Sequence, residues 1–97
     1  MKHVKIERRK GYYGSLRTLE LYVDGTCLGH IRQGEEKVFE VHESGREIWG
    51  KMDWGKTVKL SLNDYAQGKA VVFESYFTFD LFKNLGISKL PFRVFIQ

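Results

Sequence analysis

The chain is poor in the residues that cross-link, anchor or catalyse. It has one cysteine, Cys27, so no internal disulfide can form. That suits a reducing compartment, and the cytoplasm is the expected location. A lone small thiol is expected to be buried on its strand. No apolar run approaches membrane-span length, and Met1 is followed by charged residues. Neither a membrane span nor a signal peptide is therefore expected. No glycine-rich loop leads into a helix, so nucleotide binding lacks its usual device. His3, His30, His42 and Cys27 lack metal-ligand spacing, although His30 and His42 fall on consecutive predicted strands. His42, Glu43 and Ser44 include the residue types of a nucleophilic site. They run from a strand into a turn, and Ser44-Gly45 reads as turn chemistry. No catalytic residue, metal ligand or small-molecule cofactor is assigned, and the chain is not expected to be an enzyme.

What is present is a rhythm of short strands. With 97 residues the chain is expected to be one domain, residues 1–97, with a single core. Aromatic residues make up 14% of it and only Pro91 is proline, a balance that favours strands. Val4 and Ile6 alternate with Lys5 and Glu7. Leu19, Leu21 and Val23 alternate with Glu20 and Tyr22, and Asp24-Gly25 follows at once. A two-residue hairpin turn needs positive φ at both central positions, which Asp and Gly tolerate best. The return strand spans 26–31, with Gly29 marking a bulge or a close backbone approach. Turns at Gly34 and Ser44-Gly45 bound a strand over 38–41. Residues 48–54 form the next strand, with Ile48, Gly50, Met52 and Trp54 on one face and Trp49, Lys51 and Asp53 on the other. Asp53 is placed to accept backbone N–H bonds at a turn. Val58, Leu60 and Leu62 suggest another half-buried strand. Residues 69–80 read as one long strand, and Pro91 opens the last one, in which Phe92, Val94 and Ile96 oppose Arg93 and Phe95.

This pattern predicts an all-β fold, a single antiparallel β-sandwich of seven to eight short strands, with a small β-barrel as the alternative. The expected core is Leu19, Leu21, Val23, Phe39, Val41, Ile48, Met52, Val58, Leu60, Leu62, Val71, Phe73, Phe77, Val94 and Ile96.

The stretch from Leu19 to Trp54 carries YVDG (22–25), LG (28–29), QGEEKVFEV (33–41) and SGREIWGKMDW (44–54). It resembles a group of small uncharacterised bacterial proteins with an "IDG…vG…nGe…fev..GkH.i..kiDW" pattern. More distantly it resembles PEGA-type modules, small β-sandwiches that accompany bacterial surface and regulatory proteins. The likeness covers the first 60 residues or so, because the Phe-rich end lies outside the pattern. Arg46-Glu47 stands where the group often has His, and Gly55 where it often has Cys, so no metal or redox role carries over. The resemblance implies a non-catalytic adhesion, scaffold or accessory domain and transfers no residue role.

Three surfaces are candidates for binding. The chain's net charge is +4, yet residues 1–17 hold six basic groups against Glu7, while the remainder holds ten basic and eleven acidic groups. Arg8, Arg9, Lys10, Tyr12, Tyr13 and Arg17 fall in a predicted basic-aromatic loop. Such a set suits a protein partner, since Tyr and Arg dominate binding hot spots. It also suits single-stranded nucleic acid, where cations meet phosphates and rings stack on bases. The plainer reading is a solvated segment whose charge protects a sheet edge. The second surface is an exposed strand edge open to strand addition or self-association, with residues 69–80 as the leading candidate. The third is the aromatic set Trp49, Trp54, Tyr22 and Tyr76, which would stack on sugar rings if exposed and fill the core if buried.

Overall fold

A computed structural model of the chain describes residues 2–11, 17–52, 55–76 and 90–97. The described residues form two sheets built from nine strands: β1 (Lys2–Arg8), β2 (Leu19–Val23), β3 (Thr26–Ile31), β4 (Glu36–Val41), β5 (Glu47–Met52), β6 (Gly55–Lys56), β7 (Leu60–Ser61), β8 (Val71–Ser75) and β9 (Phe92–Ile96). The first sheet has the order β4-β1-β8-β9. The second has the order β3-β2-β5-β6, with β7 pairing the other end of β5. All pairs are antiparallel except β1 with β8, so the fully antiparallel sandwich expected from sequence carries one parallel ladder in its first sheet. Among the described residues no helix is long and apolar enough to cross a membrane.

The hairpin between β2 and β3 forms because Asp24 and Gly25 accept φ values of +51° and +94°. Asp24 does a second job. Its carboxylate accepts the amides of Arg46 and Glu47 at 3.0 and 3.1 Å, fastening the hairpin turn to the start of β5. These backbone bonds hold its pKa below the ordinary carboxylate range. The bulge expected at Gly29 is present: Leu21 pairs with Gly29 and Tyr22 with Cys27, leaving Leu28 unpaired, and Gly29 has φ +147°.

The strand period places the core. Val4, Ile6, Val41, Val71, Phe73 and Phe92 of the first sheet meet Leu19, Leu21, Val23, Ile31, Ile48 and Met52 of the second. Phe39, Leu60, Val94 and Ile96 are half-buried against this core. Gly50 is part of the packing, because a Cβ there would stand 2.9 Å from three side-chain atoms of Leu19.

Four expectations change. Val58 is exposed, because the chain after β6 forms only the two-residue β7 and then a 3-10 turn, Leu62–Asp64, that buries Leu62. Arg8 belongs to β1 and not to the loop after it: its amide bonds Glu35 O at 2.9 Å and its carbonyl accepts Gly34 N. Cys27 is exposed, since the bulge sets it beside Tyr22 on the outer face. The last concerns β8, which lies between β1 and β9, so residues 71–75 offer no free edge for strand addition. Phe77, Asp53 and Trp54 lie outside the described residues.

Candidate functional site

The basic residues of the N-terminal segment separate into different roles. Arg8 points inward and is 1% exposed. Its Nη1 donates to the carbonyls of Arg17 and Ile31 at 2.7 and 3.2 Å, and its guanidinium lies 5.6 Å from the Phe92 ring centroid. Removal from water lowers its pKa from the ordinary arginine value. Arg8 therefore ties the ends of β1 and β3 to the point where the chain returns at Arg17, and it is not a surface contact residue.

Arg9 emerges on the outer face of the first sheet. Its amide bonds Phe73 O at 3.0 Å, extending the parallel ladder beyond β1. Its guanidinium pairs with Glu74 at 3.0 Å and Glu7 at 3.9 Å, touches the Gln97 side-chain oxygen, and lies 5.5 Å from the Phe95 ring centroid. Val72 takes register partners from Glu7 and Phe95, so Arg9 bridges over it, and this outward valine is fully buried. Lys10 is exposed and runs beside Gly34, where an added Cβ would stand 3.1 Å from its Cε. Gly11 packs so closely on Ser75 that a Cβ there would collide with the Ser75 hydroxyl. Arg17 is exposed. Tyr12 and Tyr13 lie outside the described residues.

Two residues absent from the sequence-derived basic site join it on this face. Arg93, opposite Glu74 in the β8–β9 ladder, lies 5.7 Å from the centroid of Tyr76, which is 42% exposed. No carboxylate among the described residues comes within ion-pair distance of Arg93; Glu74, its direct neighbour, is engaged by Arg9. Arg93, Tyr76, Arg9 and Phe95 thus make two adjacent cation–ring pairs at the base of the 9–17 segment. The alternation of Arg93 and Phe95 against Phe92, Val94 and Ile96 was the signal for an outward placement. Which strand they would adjoin was not readable.

The second sheet has a different outer face. Tyr22 and Trp49 are directly opposite in register and stack with centroids 4.5 Å apart and planes 7° apart. The Tyr22 hydroxyl donates to Glu20 at 3.0 Å, and this bond is the main reason its pKa is raised. From the far side of β5, Lys56 Nζ lies 5.1 Å from the Trp49 ring. The indole is therefore flanked by a phenol and an ammonium group, and the ring pair is neither core nor a free flat platform.

The edges of the sandwich carry protection. Lys37 sits on the inward register of β4 with Phe39 and Val41, and its Nζ reaches across to His30 O of β3 at 3.2 Å. The inward charge on β4, an edge of the first sheet, and the bulge on β3, an edge of the second, are both devices against unscheduled strand pairing. Exposed Val38 is bracketed by the His3–Glu40 and Lys5–Glu36 pairs at 3.5 and 3.7 Å.

His42 Nδ1 and Ser44 Oγ are 2.6 Å apart and the Ser44 amide also meets Nδ1, which closes the exposed turn locally. His30 and His42 are not brought together by pairing, because β3 and β4 belong to different sheets. Among the described residues no three His, Cys, Asp or Glu side chains converge as metal ligands. No protein-family model, curated protein or solved structure matches this chain.

Proposed function

We propose that this β-sandwich is a non-catalytic interaction module that binds a protein partner through the arginine–aromatic face of its first sheet. The observation that carries the reading is Arg93 laid on exposed Tyr76. Arg and Tyr are the residue types that dominate protein–protein hot spots, and a ring-supported guanidinium loses less freedom on binding than a free one. Arg9 on Phe95 extends the patch, and exposed Lys10 and Arg17 supply a basic rim. A protein is favoured over single-stranded nucleic acid. Arg8 faces inward and Arg9 is paired with two carboxylates, so neither arginine is offered to phosphates. Strand addition is a weaker route at β4 and β3, which Lys37 and the Gly29 bulge guard, and at β8, which is central; β9 is the other edge of the first sheet. The exposed thiol of Cys27 suits a reducing compartment, and the cytoplasm is the proposed location. The likeness to PEGA-type accessory modules points in the same direction.

The test is affinity capture from a lysate with the wild type and with Tyr76→Ala/Arg93→Ala. Both side chains lie on the outer face, so the variant keeps its fold, checked by circular dichroism. The expected result is loss of specific partners from the variant. Recovery of the same partner set by both proteins would defeat the proposal.

A further inference from the structure

We infer that the outer face of the second sheet is a separate docking surface for an acidic protein segment. Lys51 and Lys56 are directly opposite each other in the β5–β6 ladder, an arrangement that sheets normally avoid because like charges face at close range. Neither ammonium group has a carboxylate within ion-pair distance among the described residues. Glu20 stands opposite Lys51 on the other flank, and its carboxylate, which accepts the Tyr22 hydroxyl at 3.0 Å, sets one negative charge beside the two lysines. Lys56 turns over the Trp49 ring, and the Tyr22–Trp49 stack fixes that ring in place.

The result is two facing cations on an aromatic support, with the Glu20 carboxylate opposite Lys51. Cβ atoms of directly opposed residues are about 5 Å apart, so one carboxylate can reach both lysines. The complementary occupant is a segment with successive Asp or Glu residues. Nucleic acid fits less well, because base stacking needs an open ring face and Trp49 is flanked by Tyr22 and Lys56. The surface is distinct from the Arg93–Tyr76 face, which lies on the opposite sheet, so one module would hold two partners at once.

The experiment titrates the full chain into dye-labelled poly-L-glutamate and follows fluorescence anisotropy, with a poly-dT oligonucleotide in parallel. The inference predicts saturable poly-L-glutamate binding, at least about tenfold weaker in Lys51→Glu/Lys56→Glu and falling as NaCl rises from about 0.05 to about 0.5 M. Lys51→Gln/Lys56→Gln, which adds no new repulsion, shifts affinity in the same direction by a smaller factor. Tyr76→Ala/Arg93→Ala binds as the wild type does, which separates this face from the first. Absence of saturable poly-L-glutamate binding overturns the inference. So does unchanged binding by both lysine variants, or tighter binding of poly-dT that the same variants abolish.

Discussion

The two sheets bury the same kind of aliphatic interior but arrange their outer charges in opposite ways. Among the described residues of the first sheet most charges meet an opposite: Arg9 with Glu7 and Glu74, and Lys5 with Glu36. Arg93 is the exception, and it rests on a ring. On the second sheet two lysines face each other beside a stacked pair of rings, and among the described residues neither forms an ion pair. The contrast teaches that net charge along a sequence does not measure charge offered to a partner. The N-terminal segment holds the excess of basic residues, yet it places one arginine in the interior and neutralises the next. The remainder of the chain is close to neutral, yet it sets two lysines face to face on one sheet.

The largest effect that would break this contrast concerns Arg8 and Arg9. Arg8→Ala removes a buried side chain and leaves the Arg17 and Ile31 carbonyls without its donor. It is expected to cost about 2–4 kcal/mol in urea denaturation. Arg9→Ala removes a partly exposed ion-pair network and is expected to cost under about 1 kcal/mol. Equal losses would place both arginines in the same environment. Next is Gly50→Ala, whose Cβ would press on Leu19 from 2.9 Å. Overpacking of this kind costs about 1–3 kcal/mol, read as a lower melting temperature with an unchanged circular dichroism spectrum.

The acid response sharpens the role of Asp24. Its folded pKa is depressed, so its stabilising contribution is present above the unfolded pKa and is lost as pH falls through the folded one. Wild-type stability should therefore decline below about pH 4 more steeply than that of Asp24→Asn. Asparagine also tolerates the positive φ at this position. Identical acid limbs in denaturation series across pH would remove this role. Lys37→Val tests the guarded edge: monomer stability should change little, while size-exclusion chromatography shows concentration-dependent self-association. A variant that stays monomeric at the highest concentration reached would show that Lys37 is not a gatekeeper. The smallest expected effect is that of Lys51→Gln/Lys56→Gln, whose stability should stay within about 0.5 kcal/mol of the wild type. A loss well beyond that would make these lysines structural.

Much of the frame was legible because turns and strand period are local. Asp24-Gly25 needs only its own conformational preferences to declare a hairpin, and Gly29 marks either a bulge or a close backbone approach, of which the bulge is present. Leu19, Leu21 and Val23 reveal their buried face by alternation alone. What escaped depends on partners distant in sequence. Arg8 reads as a loop cation until Glu35, Ile31 and Arg17 close around it. Cys27 reads as a buried thiol until the bulge turns it outward, and Val58 as a core residue until β7 proves two residues long. Residues 71–75 resemble an edge strand until β1 and β9 flank them. The candidate surfaces were half-visible for the same reason. The aromatic and basic residues stood out, but whether a carboxylate or a ring lay beside each of them is a matter of register.

The most direct measurement is a side-by-side affinity capture from one lysate with the wild type, Tyr76→Ala/Arg93→Ala and Lys51→Glu/Lys56→Glu, quantified by mass spectrometry. Two independent outer faces predict that each variant loses its own partners and keeps those of the other. Loss of one common set by both variants, or of none by either, would contradict the account.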